Sequence, residues 1–168
     1  IRLDDEAELY SNNAGVDSSG SGGGAYLNGS ALYSAKALVQ YNGAADFGGG
    51  IYAGNGSLIS FSLGSFTCVG ARCSRLSNNT ATNQYGGGVY ASNSDVNLAN
   101  TSVESNRAYL GGGVYASGAD SQVSLSGSLF ARNNATGGTG DGLRIHNSAN
   151  LSGSGNTLAY NEAGGAAT

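Results

Sequence analysis

Short apolar runs alternate with small polar residues along this chain, and the same run keeps returning behind a cluster of glycines. Gly22-Gly23-Gly24-Ala25-Tyr26, Gly48-Gly49-Gly50-Ile51-Tyr52, Gly86-Gly87-Gly88-Val89-Tyr90 and Gly111-Gly112-Gly113-Val114-Tyr115 are four copies, and Gly140-Asp141-Gly142-Leu143-Arg144-Ile145-His146 is a degenerate fifth. Two-residue alternation marks a half-buried strand. It turns Ala25, Ile51, Val89, Val114 and Leu143 inward, with Ala53, Ala91, Ala116 and Ile145 two residues on, and sends Tyr26, Tyr52, Tyr90 and Tyr115 outward. After a Gly/Ser/Asn turn comes a second alternating stretch, as in Ile59-Ser60-Phe61, Val96-Asn97-Leu98 and Val123-Ser124-Leu125. A third short strand is expected just before a recurring asparagine. There an apolar residue stands three positions upstream, as Leu9, Val39, Val103, Phe130 and Leu158; Arg75 breaks the rule.

Those asparagines open the signature Asn-x-Ala or Asn-x-Thr at Asn12, Asn42, Asn78, Asn106, Asn133 and Asn161, at intervals of 27 to 36 residues. A repeat of this length is one supersecondary unit that cannot bury its own apolar face, so copies stack into a solenoid. The expectation is an all-β chain: a parallel β-helix of about five to six coils, three short strands per coil, forming a single domain over residues 1–168. Neighbouring coils would lie about 4.8 Å apart. The glycines suit sharp bends, and asparagine at one corner of successive coils suits a ladder that satisfies turn amides. Both ladders therefore read as architecture. The excess length of the third interval falls between Phe61 and Leu76 and predicts a loop insertion over 62–75.

Composition narrows the partners. Charged residues make up 11% of the 168, and 7 basic against 11 acidic groups give a net charge of −4. Nucleic acid needs clustered Lys and Arg, and one lysine with six scattered arginines does not supply them. The acidic group Asp4, Asp5, Glu6 and Glu8 reads as a solvated edge. No apolar run approaches the roughly 18 residues that cross a bilayer, so direct membrane insertion is not expected. Cys68 and Cys73 flank Val-Gly-Ala-Arg and favour a local disulfide stapling the 62–75 loop; two free thiols are the alternative. Six Asn-x-Ser/Thr triplets, at Asn28, Asn55, Asn78, Asn100, Asn134 and Asn150, are what chance supplies in so Asn- and Ser-rich a chain.

Gly-Gly-Gly-Ile/Val-Tyr at Gly48, Gly86 and Gly111, together with Phe130-Ala131-Arg132-Asn133, resembles the repeats of polymorphic outer-membrane proteins. Their hallmarks are Gly-Gly-Ala-Ile/Leu/Val and Phe-x-x-Asn. The resemblance covers nearly the whole chain and implies a right-handed β-helix, carried by surface-exposed or secreted autotransporter passengers that act in adhesion. The stretch Gly142 to Asn147 with Gly155-Asn156-Thr157-Leu158 is also similar to the general repeat of carbohydrate-active β-helix proteins.

That second likeness raises catalysis. Glycoside hydrolysis wants paired carboxylates about 5 to 10 Å apart on one face, and lyase chemistry wants several Asp for calcium plus a base. Asp17, Asp46, Asp95, Glu104, Asp120, Asp141 and Glu162 fall instead at turns or strand ends. Asp141, Arg144 and His146 form the best polar patch, with Arg144 and His146 on one strand face. An enzyme, a cofactor and a metal are not expected. The tyrosine column Tyr26, Tyr52, Tyr90 and Tyr115 is the stronger surface feature: it offers rings to sugars or protein partners, or it merely stacks neighbouring strands. Both termini cut the repeat in mid-coil, Ile1-Arg2-Leu3 resembling a second strand and Gly164 to Thr168 a glycine strand. The chain therefore reads as a segment of a longer solenoid or as a unit stacking end to end into a filament. The function these readings support is an extracellular or cell-surface structural and adhesive segment, with self or host and matrix glycans or proteins as partners. A carbohydrate-binding or polysaccharide-cleaving module is the alternative.

Overall fold

The computed structural model describes residues 1–3, 7–15, 19–62 and 74–163. Every strand among them pairs in parallel with its equivalent in the next coil, so the chain winds as a β-solenoid of about five turns. The first sheet gathers the strands behind the glycine runs, Ala25–Asn28, Ile51–Gly54, Val89–Ser92, Val114–Ser117 and Leu143–His146. The second stacks Arg2–Leu3, Ala31–Ser34, Leu58–Phe61, Asp95–Ala99, Gln122–Ser126 and Asn150–Ser154. The third stacks Glu8–Tyr10, Leu38–Gln40, Ser74–Ser77, Thr101–Glu104, Leu129–Ala131 and Thr157–Ala159.

A fourth sheet corrects the expectation of three strands per coil. Asn13–Ala14, Gly43–Ala44, Thr80–Ala81, Arg107–Ala108, Asn134–Ala135 and Glu162–Ala163 form it. These two-residue strands are the tail of the Asn-x-Ala signature. They are too short to show alternation, yet Ala44, Ala81, Ala108 and Ala135 all lie in the interior. Alanine is the size that fits where two corners of a narrow coil converge.

The interior is a set of in-register columns. Val89 pairs with Ile51 and Val114, Val96 with Ile59 and Val123, and Leu76 with Val39 and Val103, and all are buried. Phe61 and Phe130 are the largest fully buried side chains. Leu76, not Arg75, is the inward residue of its strand, because the coil's ladder asparagine is Asn79.

That shift corrects the asparagine ladder, which runs Asn12, Asn42, Asn79, Asn106, Asn133, Asn161. Each asparagine donates its backbone N–H and its Nδ2 to the Oδ1 of the next, at 2.9 to 3.1 Å. The second Nδ2 hydrogen goes to a carbonyl one coil back, such as Val39 from Asn79 and Leu76 from Asn106. From Asn42 to Asn133 every amide valence is therefore used, which is what lets these side chains be buried without cost. Asn78 does something else. It sits at φ 55° in a column of left-handed residues, Ser11, Tyr41, Asn78, Ser105, Arg132 and Tyr160, that turns the corner immediately before each ladder asparagine. With Asn79 in place, all six copies read Asn-x-Ala.

The link between the asparagines and the glycine runs is a contact. Gly48 takes φ +64°, and a Cβ on Gly50 would stand 3.1 Å from the Asn79 amide carbon. Other corners carry hydroxyl ladders. Backbone N–H groups of Ser30, Ser57 and Ser94 donate to the Oγ of Ser57, Ser94 and Ser121, and the Thr101 N–H to Ser128 Oγ. Cys68, Cys73, all but the ends of the 62–75 insertion, Asp4, Asp5, Glu6, Asp17 and Gly164 to Thr168 lie outside the described residues.

Candidate binding surface

The four tyrosines predicted to line one face do share a column, paired in register from Tyr26 through Tyr52 and Tyr90 to Tyr115. Their rings stack face to face, with centroids 4.6, 5.5 and 5.6 Å apart and interplanar angles of 3°, 19° and 15°. The column is not an exposed stripe. Tyr26 is 56% exposed, Tyr52 and Tyr90 are half-buried, and Tyr115 is buried at 4%.

The cause is a second aromatic column that the sequence reading missed. Phe47 and Tyr85 immediately precede their glycine runs, and the backbone N–H of Gly48 donates to the Tyr85 carbonyl. Phe47 lies 4.7 Å from the Tyr90 ring and Tyr85 4.7 Å from the Tyr115 ring, so they roof the later part of the stack. The available signal was an apolar residue one position before the glycines in three successive coils, as Phe47, Tyr85 and Leu110. Burial raises the pKa of both Tyr52 and Tyr90, because removing a phenolate from water disfavours the charged form. The neighbouring Tyr26 adds to the effect at Tyr52, whereas a hydrogen bond with Ser92 opposes it at Tyr90.

Arg144 continues this column, His146 pairs with Ser117 two residues further along the strand, and Asp141 is engaged elsewhere. Arg144 pairs in register with Tyr115, its guanidinium stands 6.0 Å over the Tyr115 ring, and it donates to Thr139 Oγ1. His146 Nδ1 lies 3.2 Å from the Tyr115 hydroxyl. The Asp141 carboxylate is turned to the corner, where it accepts the Ala135 backbone N–H at 2.9 Å. Arg144 and His146 together close the end of the aromatic stack at Tyr115.

No group of three or more His, Cys, Asp or Glu side chains converges as a metal site among the described residues, and no helix among them is long and apolar enough to cross a membrane. A groove of about 730 Å³ runs past Arg2, Tyr33 and Ser60 on the second sheet. A smaller one, about 300 Å³, lies at the left-handed corner between Asn13, Tyr41 and Asn78.

Fold and surface together define the chain as a parallel β-solenoid repeat protein. No protein-family profile, curated protein or solved structure matches it.

Proposed function

We propose that this chain is an extracellular structural and adhesive segment, a stiff rod that displays side chains at fixed spacing and performs no catalysis. The observation that carries this reading is the in-register stacking of all four sheets, locked at the corners by asparagine and serine ladders whose polar groups are spent on one another. Such a scaffold holds surface residues at one-coil intervals without any ligand to organise them. The likeness of Gly86 to Val89 and Phe130 to Asn133 to polymorphic outer-membrane protein repeats supports the same reading, and with it a right-handed coil and a cell-surface location. Commitment of the Asp141 carboxylate to the Ala135 amide argues against a role in polysaccharide cleavage.

The test is retention of labelled, folded protein on matrix proteins, mucins and cell surfaces, with heat-unfolded protein as control and a reducing-sugar assay alongside. Saturable retention of the folded form supports adhesion. Turnover of a polysaccharide abolished by Asp141→Ala would overturn the non-catalytic reading. Cys68 and Cys73 belong to this reading as a local disulfide, which mass spectrometry before and after reduction reads directly.

Stacking of copies along the solenoid axis is a second reading, favoured by Leu151 and Leu158. Both occupy core columns, paired with Val123 and Phe130, yet they are 52% and 61% exposed. Sedimentation should show concentration-dependent association that Leu151→Asn with Leu158→Asn abolishes; a monomer at every concentration removes the idea.

A further inference from the structure

The stacked tyrosines make a poor sugar platform, because a saccharide packs on an open ring face and this column spends its faces on itself. Tyr41 is different. Its neighbours in the corner column, Ser11 and Asn78, carry no ring, and it is 53% exposed. Among the described residues the ring that meets it is Tyr10 of the preceding coil, tilted by 59° at 5.3 Å, so it is not stacked face to face. It also sits at φ 56°, where a bulky residue is strained and Asn or Gly would fit more cheaply.

Two residues on, Gly43 opens a gap. In the fourth sheet Asn13, Gly43 and Thr80 are successive members of one outward column, so the glycine leaves a notch one side chain deep between an amide and a hydroxyl. Notch and ring belong to the 300 Å³ groove, and every residue that lines it is uncharged. The ladder occupies Asn42, but no partner holds the side chains of Ser11, Asn13, Asn78 and Thr80 among the described residues.

We infer that the notch at Gly43, walled by Tyr41, binds a neutral saccharide. A pyranose has an apolar C–H face for the ring and a rim of hydroxyls that both donate and accept, matching free amides and hydroxyls that do the same. An anionic ligand would need Arg, Lys or a nest of N–H groups, which the groove does not provide. This assignment rests on the adhesive reading and supplies its ligand class.

The experiment is a screen of neutral and acidic oligosaccharides, with hits titrated against the whole chain and three variants. Tyr41→Asn removes the ring and suits the left-handed corner, so melting temperature should hold or rise while affinity falls about tenfold or more. Gly43→Val fills the notch and should also abolish binding; a Cβ there meets Asn13 Oδ1 only at 3.5 Å, an ordinary contact. Tyr26→Ala should leave binding intact. Binding that survives Tyr41→Asn, or that is lost with Tyr26→Ala instead, overturns the assignment, as does a preference for acidic glycans. Adhesion to matrix proteins without any saccharide binding would sink this inference and leave the adhesive reading standing; loss of both would sink both.

Discussion

Asn79 donates its backbone N–H and its Nδ2 to the single Oδ1 of Asn106, at 3.0 and 2.9 Å, while the adjacent Asn78 stays outside the ladder. Asn79→Ala would strip the acceptor from both the backbone N–H and the Nδ2 that Asn42 directs at it, and would remove the side-chain donor to the Val39 carbonyl. Buried orphans of this kind cost about 1–3 kcal/mol each, so we expect a loss of about 3 kcal/mol or more in urea unfolding. Asn78→Gly should leave stability unchanged or slightly higher, since glycine takes positive φ freely. Equal effects at the two positions would contradict the ladder as described.

The serine ladder predicts a smaller version of the same asymmetry. Ser94 Oγ accepts the Ser57 N–H in the interior, whereas the Ser124 hydroxyl, in the strand Gln122–Ser126, meets the Ser152 hydroxyl at the surface. Ser94→Ala should cost about 1–3 kcal/mol and Ser124→Ala within about 0.5 kcal/mol. Thermal melts of the two variants side by side provide the comparison.

Stability should fall at alkaline pH because of the tyrosine stack. Tyr52 and Tyr90 have folded pKa values raised above the ordinary 10.0 by burial. The folded state therefore holds its phenol protons longer than the unfolded chain. The contribution is complete below about pH 10 and is lost as pH rises from there through the raised values. Tyrosinate absorbance should show Tyr52 and Tyr90 titrating late, and Phe47→Ala should bring Tyr90 back towards its ordinary value by opening the roof. Ionisation of Tyr52 and Tyr90 near the ordinary value would count against the packing.

Position along one column should also grade the cost of losing a ring. Tyr115→Ala removes a buried ring touched by Tyr85 and Tyr90 and should cost about 3–5 kcal/mol. Tyr26→Ala, exposed and stacked only on Tyr52, should cost far less. Denaturant midpoints that match for the two would mean the roof of Phe47 and Tyr85 does not form.

Alternation by itself determined the parallel solenoid, the inward columns through Ile51, Val89 and Val114, and the choice of one asparagine corner as architecture. These are local properties: side-chain direction follows from the two-residue period, and glycine and asparagine reveal where the backbone must bend. Tertiary structure decided what depends on residues a coil apart. Asn79 displaced Asn78 because a ladder position is defined by partners 27 and 37 residues away, and the cysteine-bearing insertion had blurred that spacing. The two-residue strands of the fourth sheet show no period at all, so only pairing with their neighbours reveals them. Tyr90 and Tyr115 point outward as alternation requires, and Phe47 and Tyr85 from the adjoining corner bury them. Tyr41 emerged as a half-open ring for the complementary reason: its column neighbours, Ser11 and Asn78, have no ring to stack on it, and Tyr10 meets it only at a tilt.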